Sequence, residues 1–170
     1  MIYLIISLII FWSYSIAFKV WNRSSISSTF WNIKYPFLFR LFSIGISIPI
    51  MIYSVNQGID ITNWPYVLLF LSGLLISGMG VAAGRKNFET ESSIHATCAT
   101  GGIILGSIYL LLQAIILKFE FYKSIDLYFL IIMIALLIYI FKKPVKHPTT
   151  WAEITPYSII ILNEIIKNLI

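Results

Sequence analysis

The sequence contains a single cysteine, Cys98, and only two histidines, His95 and His147. One thiol excludes an intramolecular disulfide and any multi-cysteine metal site. A bis-histidine haem needs two histidines facing each other inside a bundle, and His147 stands in a Lys/Pro segment, so no haem is expected. Glu91, His95 and Cys98 offer at most three ligands where structural zinc takes four, so neither a metal nor another cofactor is expected. Charge is scarce too: 11% of residues are Asp, Glu, Lys or Arg, against about 25% in a soluble domain. The chain has no G-x-S-x-G elbow, and spacing assembles no Ser-His-Asp set. Its glycine-rich stretch before Arg85 lacks the Lys-Ser/Thr ending of a phosphate loop. No internal repeat is evident. These absences leave no catalytic residue to name.

What remains is apolar. Hydrophobic residues make up 59% of the chain and aromatics 16%, and the mean hydropathy is +0.89. This is the composition of an integral membrane protein. Apolar spans are expected at 2–18, 36–55, 65–83, 94–117, 125–141 and 151–169, with no region between them long enough for a soluble domain. The predicted fold is therefore all-α: one integral membrane helical bundle over 1–170, with about six transmembrane helices. Ser15 and Ala17 form a weak signal-cleavage pattern. However, no Lys or Arg precedes the first run, and Phe11, Trp12, Tyr14 and Phe18 suit a retained helix. The fifth run is nearly pure Ile and Leu and is expected to be the most lipid-exposed. The last run carries Glu153, Asn163, Glu164 and Lys167, which makes it the weakest span; its alternative is an amphipathic helix lying in the interface.

Loops one, three and five carry Lys19, Arg23, Lys34, Arg85, Lys86, Lys142, Lys143 and Lys146, whereas loops two and four carry Lys118 and Lys123. The positive-inside rule places the first set in the cytoplasm and both termini outside. These basic residues form no continuous stripe that could track phosphates, so nucleic acid is not an expected partner. Membrane lipids are, as are other transmembrane subunits.

Small residues recur on two adjacent spans. Gly73, Ser77, Gly80 and Gly84 share a face of helix three, and Ala99, Gly102 and Gly106 lie on helix four. Small residues let membrane helices approach closely, so these two helices are expected to pack tightly.

Helix four also carries a polar stripe. Steps of three and four put Glu91, His95, Cys98, Tyr109 and Gln113 on the face of Gly102 and Gly106, opposite Ile104, Ile108 and Leu111. Polar and ionisable groups are costly in a bilayer and usually face protein or a cavity. Glu91, His95, Tyr109, Gln113 and, on the last span, Glu153 are therefore the candidates for lipid or partner binding. Glu91 and His95, one turn apart, can relay a proton or hold a head group. The plainer alternative is that His95 bridges neighbouring helices as a hydrogen-bonding side chain.

Around Asn87-Phe88, His95, Ala99, Gly106, Tyr109 and Gln113 the chain resembles the damage-regulated autophagy modulators and their Frag/Sfk-type relatives, small multi-span membrane proteins. Glu153 beside Trp151 is a second point of likeness. The resemblance is specific over 73–113 and follows span order from Phe37 to Asn168. Glu89 stands where that family has Gln, and the segment from Phe88 to His95 is short. Family topology places the termini in the cytoplasm, opposite to the charge bias above. The resemblance implies a non-enzymatic membrane protein that binds lipid or a partner through helix four. An accessory subunit of a larger membrane complex is the alternative. A lipid-modifying enzyme using Glu91, His95 and Glu153 is the third.

Overall fold

Each apolar run satisfies its backbone hydrogen bonds within its own segment, as a helix. In the computed structural model, which describes residues 1–22, 26, 37–58, 64–82, 88–116, 125–143 and 145–169, six α-helices follow one another. They are α1 (Ile2–Ala17), α2 (Phe37–Asn56), α3 (Pro65–Ala82), α4 (Phe88–Ile116), α5 (Ile125–Lys142) and α6 (Pro148–Lys167). A 3-10 turn, Val20–Asn22, follows α1. Among the described residues the chain is all-helical. Pro65 and Pro148 open their helices, where a missing N–H leaves nothing unsatisfied.

Three segments combine the length and apolarity needed to cross a membrane: Phe37–Asn56, Ser93–Ile115 and Ile125–Lys142. Helix α1 and the Pro65–Gly80 part of α3 are apolar but shorter. Helix α6 has the length, at 20 residues, but carries polar side chains.

Consecutive helices run antiparallel. Gly73 meets Ser47 and Met51 of α2 while Gly80 meets Arg40 and Ser43, so α3 descends as α2 rises. Gly78 meets Cys98 of α4, and Gly102 meets Ser72 and Ile76, which reverses the direction again. The expected close packing of α3 and α4 is present and is the most extensive helix contact in the chain, with α2 against α3 second. The detail differs from the expectation. The Gly73/Gly80 stripe faces α2, not α4, while Gly101 and Gly102 admit Leu75 and Ile76 of α3. Gly106 instead admits Ile160 of α6. Ser77 turns its hydroxyl back to Leu74 O at 2.9 Å, and Gly84 lies outside the described residues.

Ser72 Oγ donates to Gly102 O at 2.7 Å across the α3–α4 contact. Interhelical hydrogen bonds of this kind contribute about 0.6 kcal/mol on average. Ser72→Ala is accordingly expected to lower stability by about that amount in detergent unfolding, and an unchanged midpoint would show the bond contributes nothing.

The bundle closes through α6. Ser7 Oγ donates to Ile46 O at 2.6 Å, a turn before Pro49 of α2, and also hydrogen-bonds Tyr157 OH, next to Pro156 of α6. Phe11 stacks on Tyr157 with centroids 4.2 Å apart, and Tyr14 on Phe42 at 4.1 Å. Residues Ile154 to Ile161 are buried without interruption, as are Asn163 and Glu164. A helix lying in the interface would bury a single stripe, so α6 is a core element of the bundle. Its polar residues made it the weakest apolar run, and two of them lie at its most enclosed positions. By contrast only 17% of α5 is buried, against 50% of α2, which puts α5 on the outside of the bundle.

Candidate functional site

The polar stripe of α4 does not converge on one place. His95 and Tyr109 are separated by fourteen residues, about 21 Å of helix at 1.5 Å per residue. His95 is half-buried against the end of α3 and the start of α2. Its Nδ1 lies 3.3 Å from Met79 O, and its ring centroid 5.7 Å from that of Phe39. Nε2 is buried with no hydrogen-bond partner among the described residues. These contacts join α4 to α3 and α2. Glu91 falls within α4, but its side chain lies outside the described residues. Cys98 packs against Gly78 as a small side chain.

Nearer the middle of the bundle, an apolar cavity with about 60 Å³ of room for water-sized molecules lies between α1, α2, α3, α4 and α6. Phe11, Phe42, Ile46, Ile76 and Ala99 help to line it, and Glu153 and Tyr157 add a carboxylate and a phenol. Ile26 N donates to Glu153 Oε2 at 2.6 Å, which ties the segment after α1 to the start of α6. Of the candidates read from the sequence, Glu153 and Ala99 are the two at this cavity.

Tyr109 is buried at the opposite end, within a set of polar residues from five helices, and Gln113, one turn further along α4, is buried as well. Helix α6 presents Asn163, Glu164 and Lys167, α5 presents Asp126 in its first turn, α2 Tyr53 and α3 Tyr66. Lys167 Nζ lies 3.0 Å from both Asp126 Oδ1 and Glu164 Oε1. Asn163 Nδ2 donates to the same two carboxylates, at 2.7 and 3.2 Å. Tyr53 OH donates to Glu164 Oε2 at 2.8 Å and accepts from Asn168 Nδ2 at 2.8 Å. The Lys167 ammonium also sits 5.8 Å from the Tyr109 ring centroid, and the Tyr66 ring lies 5.4 Å from that of Tyr109. Asp126, Asn163 and Glu164 are fully enclosed, whereas the Lys167 side chain is 17% exposed and connects the set to the surroundings.

Sequence reasoning named Tyr109 and Gln113 here but not Tyr53, Tyr66, Asp126 or Asn168. It treated Asn163, Glu164 and Lys167 only as marks against a span. A signal was present: positions i, i+1 and i+4 place those three along one side of α6. Nothing in the sequence says that Asp126, thirty-seven residues earlier than Asn163, meets them. Among the described residues no group of three or more His, Cys, Asp and Glu side chains gathers as metal ligands.

No protein-family model, curated protein or solved structure matches this chain.

Proposed function

We propose that this chain is a non-enzymatic multi-span membrane protein that holds a membrane lipid, with part of an apolar tail in the cavity beside Glu153. The observation that carries the reading is the cavity itself: a wall of aromatic and aliphatic side chains with one carboxylate in it. Apolar pockets with a few placed polar groups are the usual form of a small-molecule site. Glu153 Oε2 is engaged by Ile26 N, which leaves Oε1 for a donor on the lipid, such as a hydroxyl, amide or amine. The space suits a short run of methylenes, so the rest of the tail would lie among the bilayer lipids.

In this reading all six helices cross the bilayer, with α1 and α3 matched by local thinning or by flanking residues. Loops one, three and five face the cytoplasm, so the Asp126–Lys167 set lies at the outer end. The likeness to autophagy modulators over 73–113 supports a small multi-span protein without a catalytic centre.

The test is native mass spectrometry after extraction in mild detergent. A retained lipid is expected on the wild-type chain. Ala99→Leu, which fills the cavity, should cut the retained fraction about tenfold, equivalent to about 1.4 kcal/mol of binding. Ile132→Leu, on the exposed side of α5, should leave it unchanged. No retained lipid, or retention indifferent to Ala99→Leu, overturns the reading. A stoichiometric companion protein in place of lipid would favour an accessory subunit.

A further inference from the structure

Three charged side chains meet at the outer polar set: Asp126, Glu164 and Lys167. Counted together they leave one negative charge among the described residues, in a place where both carboxylates are fully enclosed. Unbalanced charge of this kind is costly away from water. Hydrogen bonding is also incomplete, and in one sense only. Asp126 Oδ2 and Asn163 Oδ1 are buried acceptors with no partner among the described residues. The amide orientation of Asn163 follows from its neighbours, because Nδ2 donates to two carboxylates and the reverse orientation would set oxygen against oxygen. Its free oxygen is therefore an acceptor fixed beside Asp126.

We infer that the Asp126–Asn163 side of this set is a binding site for one hard monovalent cation of the sodium class. Every unsatisfied atom is oxygen, the ligand type that hard cations take and soft metals do not. Among the described residues the set carries one net negative charge, so a monovalent ion neutralises it and a divalent ion would overfill it. Lys167 holds Asp126 Oδ1 and Glu164 Oε1 and leaves Asp126 Oδ2 free, so the ammonium and the ion do not compete for one oxygen. Lys167 is also the partly exposed member, and its edge of the set is the route by which an ion enters. The inference is independent of the lipid cavity, which shares none of these residues.

The test is thermal unfolding of the full chain in detergent at constant ionic strength, with sodium chloride exchanged for N-methylglucamine chloride. Sodium at about tenfold above its dissociation constant should raise the midpoint by about 4 °C. Asp126→Asn should abolish that difference. Equal midpoints in the two salts overturn the inference, as does a sodium response that survives Asp126→Asn. A midpoint that follows pH and ignores sodium also overturns it, because a proton then balances the charge.

Discussion

Lys167→Met is expected to be the most damaging single substitution in the Asp126–Lys167 polar set. The ammonium contacts Asp126 Oδ1 and Glu164 Oε1 at 3.0 Å each, and both carboxylates are fully enclosed. Removing the cation leaves two like charges facing each other with Asn163 and Tyr53 as their remaining donors. Breaking a buried ion pair from one side costs about 3–5 kcal/mol, because the partner stays buried and uncompensated. The measurement is denaturant or thermal unfolding in detergent micelles. The companion variant, Lys167→Met with Asp126→Leu and Glu164→Met, should recover most of the loss, since apolar replacement of a whole buried charge set is often neutral. A triple variant as unstable as the single one would show that Lys167 acts through its methylene chain and its Tyr109 contact, not through charge.

The second large effect concerns two glycines that look equivalent in the sequence. A Cβ at Gly80 would stand 2.6 Å from Ser43 Cβ, 3.0 Å from Ser43 Oγ and 3.4 Å from Arg40 O. Ser43 Cβ is fixed to its backbone, so α2 and α3 would have to separate. Gly80→Ala should therefore lower stability by about 1–3 kcal/mol, the usual range for overpacking. A Cβ at Gly106 would also stand 2.6 Å from its nearest atom, but that atom is Ile160 Cδ1, the far end of a side chain that can rotate. Gly106→Ala should cost less than about 1 kcal/mol. Equal losses at the two positions would mean that the α4–α6 contact is as rigid as the α2–α3 contact, and that Ile160 cannot rotate away from an added Cβ.

Neither prediction could be made from the sequence. Glycine spacing on helix three is legible and points to close approach, yet the small residues of helix four make that span look like the partner, where the structure has α2. Spacing marks the face of a helix and is silent on which neighbour fills it. The candidate residues divided in the same way. Periodicity put His95 and Tyr109 on one face of α4, which holds, but a shared face 21 Å long serves two ends of a bundle. His95 joins α3 and α2, while Tyr109 lies against Lys167 and Tyr66 at the other end.

The sequence by itself determined where the six helices lie and that they are helices. Apolarity and the need to satisfy a backbone within its own segment are local properties, readable one run at a time. Only the tertiary structure decided that α6 belongs in the core. Hydropathy adds transfer costs residue by residue, so Asn163, Glu164 and Lys167 count against burial wherever they stand. In the folded bundle Tyr53 from α2, Asp126 from α5 and their neighbours on α6 supply the missing partners. That compensation is a sum over pairs far apart in the chain, and it exists only once the helices have met.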